Sequence, residues 1–294
     1  MSTPHICRVP QVLALLMALL TAAPAWPQAP APSTPEVVRV VVVGGLVMSG
    51  FWARFARHIE AATGVQIALV ASGPKEVIVP PFVDRKADLL FIHGSDEVMA
   101  LLADGQAGRI TAWGANEHVV IGPADDPAGV RQARDGADAL QRIAAHQAPF
   151  VAFDDPGSHA IVQKLWRTIG ARPPSGPWRL RDEAGRAQEV IAFAATRQAY
   201  VVAGHIPFAF GKMQGPGLAV LLHGDPAMRR PYVAVEQPGA AAWACRPEEA
   251  SATRRVAAYV ASPAGQQAVD QAGKDARGRW IFPLPAATPP TLPR

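Results

Sequence analysis

The chain has 294 residues, 49% of them hydrophobic and 18% charged, with a net charge of +4. That apolar content excludes an intrinsically disordered chain, and the length allows one or two domains with a sizeable core. Twelve of the 29 prolines fall in residues 1–35 and 283–294, so an ordinary globular middle lies between Pro-rich tails. Arg8, the apolar run at 9–20 (VPQVLALLMALL) and the small residues around Ala23-Pro24-Ala25 and Ala29-Pro30-Ala31 have the pattern of a cleaved secretory signal peptide. A membrane anchor needs about 20 apolar residues, and this run breaks at Pro24 and Pro27. Residues 1–25 are therefore expected to be a leader and residues 26–35 (WPQAPAPSTP) a flexible spacer. Losing the leader removes Arg8 and no acid, leaving a mild +3. The basic residues are scattered apart from the pairs Arg229-Arg230 and Arg254-Arg255, which gives no footprint for nucleic acid. Cys7 departs with the leader and Cys245 stands alone, so no intramolecular disulfide and no cysteine metal site is expected.

In chain order, EVVRVVVVGG reads as a buried strand ending at two glycines, followed by an amphipathic helix from SGFWARFARHIEAATG. Phe51, Phe55, Ile59 and Ala62 share one face of that helix, Ser49 is a candidate N-cap, and Gly64 stops it. VQIALVA, ADLLFIHG (87–94) and HVVIGP (118–123) read as further strands, with helical segments such as EVMALLADG between them. The alternation then repeats. A helix at 135–146, a strand at 148–153, a helix at 157–169, a polar Pro-rich excursion at 171–186 and a helix from QEVIAFAATRQ lead to strands AYVVAG, GLAVLLHG and YVAVEQ (232–237). A helical tail at 248–273 closes the chain. The sum is an α/β chain of two lobes, each a mainly parallel sheet flanked by helices, which takes ligands at the carboxyl ends of its strands.

Two loops carry candidate chemistry. In Gly44-Gly45-Leu46-Val47-Met48-Ser49-Gly50, Phe51 and Trp52 occupy the places where a phosphate loop needs Lys and Ser/Thr, and G-x-G-x-x-G is absent. Its glycines either let backbone amides approach an anion or simply turn the chain. In Phe153-Asp154-Asp155-Pro156-Gly157-Ser158-His159, Asp155 or Ser158 can cap the following helix, and the Ser158 hydroxyl suits an oxyanion. The histidines are widely separated, without H-x-H or H-E-x-x-H, and no G-x-S-x-G is present. Neither a metal site nor a nucleophile elbow is therefore indicated. No cofactor and no enzymatic activity is expected.

NEHVVIGPADDPAG (116–129) resembles a segment of the periplasmic tungstate-binding proteins of ABC transporters. Collinear similarities continue over about residues 37–285, among them ATGVQIALVASG, ADLLFIHG, ADALQRIAAHQAPFVAFDDPGSHAIVQKLW, RQAYVVAGHIPFAF, HGDPAMRRPYVAV and YVASPAGQQAVDQAG. The resemblance implies a two-lobed periplasmic binding fold with a hinge near Pro123 and a return near Tyr232. Lobe 1 would hold 36–122 and 232–285, lobe 2 would hold 123–231, and 286–294 would form a tail. It further implies a monomer, exported to the periplasm, that delivers a small oxyanion to an ABC permease.

The family's ligand loops fall on Gly44 and Gly45 with nearby Ser49, on Gly73-Pro74-Lys75 with Ser72 beside it, on Phe153 to Ser158, and on Ala203 to Pro207 with His205. Gly44, Gly45, Ser49, Ser72, Lys75, Phe153, Ser158 and His205 are therefore the candidate ligand-binding residues. Among the family's hydroxyls and arginines only Ser158 is a like replacement, with Phe153 near an arginine position. Because Phe153, Pro74 and Pro207 make the cleft more apolar, two ligand classes stay open: an oxyanion, or a larger and less charged molecule. The alternative to transport is a degenerate binding fold serving as a sensor or interaction module.

Overall fold

The computed structural model describes residues 36–239 and 247–285; the expected leader, spacer and tail, with Cys245, lie outside the described residues. The strand β1 (Val37–Val43) alternates as its β-branched sequence requires. Val38, Val40 and Val42 enter one core and Val41 the opposite one. It pairs in parallel with β2 (Gln66–Gly73) and β3 (Leu89–His93). The short helix α1 (Gly44–Met48) leads into α2 (Phe51–Thr63). Gly64, left-handed at φ 70°, ends α2 as the sequence expects, but its N-cap is Gly50 rather than Ser49. Phe51, Phe55 and Ile59 of α2 fill the first core, while α3 (Lys75–Val83) and α4 (Asp96–Ala103) seal the other with Ile78, Phe82, Val98 and Leu101.

The strand β4 (Ile110–Pro123) joins the two lobes. From Ile110 to Glu117 it pairs antiparallel with β9 (Arg229–Glu236), and from His118 it pairs with β7 (Tyr200–Gly204) and then β8 (Leu218–Leu222). The sheet order is β2-β1-β3-β9-β4-β7-β5-β6, with β8 also on β4. Only the second half of β4 reads as a strand in the sequence. The first half, ITAWGANE, lacks an apolar run and carries Gly114, where a Cβ would press on the Phe282 carbonyl at 3.3 Å.

In the second lobe β5 (Phe150–Ala152) pairs in parallel with β7 and with β6 (Arg179–Arg181), a strand inside the stretch expected to be irregular. Helices α5 (Gly136–Ala145) and α6 (Pro156–Thr168) pack on one face through Leu140, Ile143, Ile161 and Leu165. On the other lies α7 (Val190–Thr196), with Val190, Ile191 and Ala194 against Val119, Ile121 and Val201. The short helix α8 (His205–Ala209) follows β7. The C-terminal helical stretch is two helices, α9 (Pro247–Ala261) and α10 (Pro263–Ala272). Ser262 separates them because its hydroxyl accepts the Gly265 amide at 3.1 Å and Pro263 opens a new first turn.

An aromatic column runs from this first core toward the second lobe. Trp113 of β4, fully buried, stacks on Phe51 at 5.7 Å, Phe55 at 5.4 Å and Tyr232 at 5.4 Å. Tyr232 in turn stacks on His93 at 4.5 Å. Trp113→Ala is expected to cost about 3–5 kcal/mol of stability, read from urea unfolding, because the packed rings cannot collapse into the space. A loss below about 1 kcal/mol would show that the column does not anchor the lobe.

Candidate functional site

The column ends at a cavity of about 250 Å³ where strand ends of the two lobes meet. Gly45 follows β1, His93 closes β3, Asn116 and His118 lie on β4 where it changes partners, and Arg230 and Tyr232 lie on β9. From the second lobe come Phe153, Asp155 and Ser158 at the β5–α6 junction and Lys212 after α8. A wider vestibule of about 660 Å³ shares His93, Phe153, Asp155 and Arg230 with this cavity and adds Glu76, Asp96, Glu97, Asp154 and Asp182 with Lys75 and Arg186.

Four residues that line the inner cavity each carry a buried polar atom with no hydrogen-bond partner among the described residues: His93 Nε2, Asn116 Oδ1, His118 Nδ1 and Ser158 Oγ. Leaving such a group unpaired costs about 1–3 kcal/mol, so four on one small cavity constitute a built polar site. The cation of the site is Arg230. Its guanidinium packs over Gly157, in the space that a Cβ at that position would take. No hydrogen bond or ion pair among the described residues takes it up. Burial lowers the Arg230 pKa, and the nearby Asp155, Tyr232 and Asp96 only partly offset this.

Burial also keeps both histidines neutral. It pushes His93 well below the usual imidazole range and His118 down to about 4, with Arg230 adding to both shifts. Each ring therefore presents one N–H donor and one acceptor at neutral pH. Asp155 is the N-cap of α6, its Oδ2 accepting the Ser158 amide at 2.9 Å. That settles the capping choice the sequence leaves open, and it places a carboxylate beside Arg230 and His118 in the cavity wall.

The candidates named from the sequence separate into groups. Gly45, Phe153 and Ser158 line the inner cavity. Gly44 is adjacent in sequence and lies against the Gly73 backbone, which a Cβ would touch at 3.4 Å in ordinary contact. Lys75 reaches only the vestibule, where it pairs with Glu97 at 3.0 Å; that hydrogen bond and charge raise its pKa. Ser49 faces inward and donates to the Leu46 carbonyl at 3.3 Å, and Ser72 lies within β2 opposite Val42. Neither lines the cavity.

His205 turns away from the cleft. Its Nδ1 donates to Glu117 Oε1 at 2.8 Å, and its ring meets Trp280 edge-on at 5.1 Å. Burial alone would raise the Glu117 carboxyl, but hydrogen bonds from His205 and from the Gly224 amide at 2.9 Å hold it below its ordinary range. Glu117 is the last residue of β4 paired with β9, so this triad ties the crossing strand to the second lobe. Among the described residues no three His, Cys, Asp or Glu converge as metal ligands, and no helix is long and apolar enough to cross a membrane.

Gly157→Ala tests the seat of Arg230. Alanine is favoured in helices, so stability should stay within about 1 kcal/mol of the wild type. The added methyl must displace the guanidinium and also meets Asp155 Oδ2 at 3.0 Å, and binding of any anion held by Arg230 should fall at least about tenfold in calorimetry. Unchanged affinity would remove Arg230 from the site.

No protein-family model matches the chain. Two curated relatives match in sequence. A protein of Haloferax volcanii described as a putative ABC transporter anion-binding protein is 36% identical over 93 residues, 31% of this chain and 27% of that protein. The tungstate-binding protein TupA of Peptoclostridium acidaminophilum is 29% identical over 147 residues, 48% of this chain and 49% of that protein. The chain thus matches about half or less of the length of these relatives. In structure, the tungstate-binding protein TupA of Desulfovibrio alaskensis superposes with a TM-score of 0.65 at 25% identity, covering 85% of this chain and 99% of that one. The tungstate ABC transporter structure from Geobacter sulfurreducens, at TM-score 0.60, 23% identity and coverage of 80% and 98%, shares the fold.

Proposed function

We propose, from the premise that this chain is related in sequence and structure to the periplasmic tungstate-binding proteins of ABC transporters, that it is a non-enzymatic solute-binding protein for a small oxyanion. The ligand is held between the two lobes and handed to an ABC permease in the periplasm. The observation that carries this reading is that Arg230 lines one cavity together with Ser158, His93 and His118, whose buried Oγ, Nε2 and Nδ1 atoms have no partner among the described residues. A desolvated oxyanion needs several donors and a compensating cation, and hydrogen bonds to charged groups are the strong ones. Arg230, Ser158 Oγ and the N–H groups of His93 and His118 are such donors.

Closure would occur about the strands that cross between the lobes, β4 and β9. Ligand contacts come from both sides of that crossing, so a bound anion favours the arrangement that brings them together. Titration of the protein with tungstate, molybdate, sulfate and phosphate by calorimetry tests the reading. Saturable binding of at least one anion at one site per chain is the expected result. No heat from any of the four would refute it.

A further inference from the structure

The charge and hydrogen-bond inventory of the cavity says more about its ligand. The inner lining carries one partly buried cation, Arg230, a second at the exposed Lys212, and one carboxylate, Asp155; both histidines are neutral. A bare dianion would leave a net negative charge in this partly desolvated space, and it would set its oxygens against a carboxylate that can only accept. Asn116 Oδ1 is a second acceptor without a partner. Like-charge contacts of this kind exclude a ligand as effectively as good contacts recruit one. A ligand oxygen that carries a hydrogen turns the same carboxylate from a repulsive into an attractive contact.

We infer that the cleft selects a singly charged oxyanion that retains a proton, with Asp155 accepting the hydrogen bond from the protonated oxygen while Arg230 and Ser158 donate to the others. This rests on the oxyanion-binding reading above and adds a specificity-determining residue to it. Asp155 Oδ2 already accepts the Ser158 amide, which orients the carboxylate, and the vestibule's carboxylates disfavour entry of a doubly charged anion.

Calorimetry of wild type and Asp155→Asn against phosphate, which keeps a proton at neutral pH, and tungstate, which does not, tests the inference. Asparagine retains the cap on the Ser158 amide and the side-chain volume, so α6 stays intact. It removes the charge and offers N–H donors. Wild type should bind phosphate at least about tenfold more tightly than tungstate, and Asp155→Asn should reverse that order. As an independent readout, phosphate affinity of the wild type should rise severalfold from about pH 8 to about pH 6 as its singly charged form grows. Tungstate affinity should not.

Tighter tungstate binding by wild type, or an Asp155→Asn change that moves both anions in the same direction, would overturn the inference. If tungstate binds, depends on Arg230 and ignores Asp155, only this inference falls. If no anion binds wild type, the proposed function falls and the inference with it.

Discussion

Arg230→Met is expected to weaken oxyanion binding by about a hundredfold or more while making the ligand-free protein more stable. The first half follows from the donors lost: each hydrogen bond to a charged group contributes about 1.5–3 kcal/mol, and a guanidinium offers two to one oxyanion. The second half follows from the state of Arg230 without ligand. Burial lowers its pKa, meaning that its environment disfavours the charged form, and the charges of Asp155, Tyr232 and Asp96 only partly offset this. The folded pKa lies below the unfolded one, so the charge opposes folding at every pH at which it persists. Methionine keeps the apolar stem, leaves the space over Gly157 that the guanidinium filled, and removes that penalty, raising stability by about 1 kcal/mol. Thermal melts and calorimetry on the same preparation measure both halves. A variant that loses binding and stability together would mean that Arg230 is a structural residue.

Acid is expected to destabilise the protein through its buried histidines. For His118 the folded pKa is about 4 against an ordinary 6.5. The unfolded chain therefore binds a proton that the folded one refuses, and stability falls as pH drops through that window. The loss from His118 alone approaches about 3 kcal/mol near pH 4. His93 shifts in the same direction for the same reasons, burial first and then Arg230, so it adds to the loss. His118→Gln should flatten the acid limb of urea midpoints plotted against pH, while leaving the neutral range nearly level. An acid limb identical in wild type and variant would show that His118 is not held neutral.

Much of the fold was legible because its logic is local. The valines of β1, the four-residue spacing of Phe51, Phe55 and Ile59, and the strand–helix alternation each fix an element from adjacent residues. The misses have tertiary causes. The first half of β4 contains Asn116 and Glu117, polar residues buried because one lines the cleft and the other anchors His205 and Gly224. The helical tail splits at Ser262-Pro263, a cap-and-proline signal that was present in the sequence.

The site was legible only in outline. The loops after β1 and β5, where ligands gather at strand carboxyl ends, supply Gly45, Phe153 and Ser158 to the cavity lining. In the sequence the loops offer no arginine: Phe153 stands near the position of one, and Lys75 and His205 are the basic candidates. The cation comes instead from Arg230, at the strand that returns between the lobes, and only the pairing of β4 with β9 brings it there. His93 and His118 carried a weak signal, each standing at the end of an otherwise apolar run that a strand buries. Lys75, Ser49, Ser72 and His205 had suitable chemistry, but their partners are Glu97, the Leu46 carbonyl, the β1 ladder and Glu117.

Arg230 is the proposed centre of an oxyanion site in the inner cavity. A crystal structure of the full chain with the tightest-binding of phosphate, tungstate, molybdate and sulfate tests it most directly. The expected result is one anion between the lobes, with oxygens in hydrogen-bond range of the Arg230 guanidinium and Ser158 Oγ. An anion bound instead at Lys75 in the vestibule, with the inner cavity bare, would contradict it.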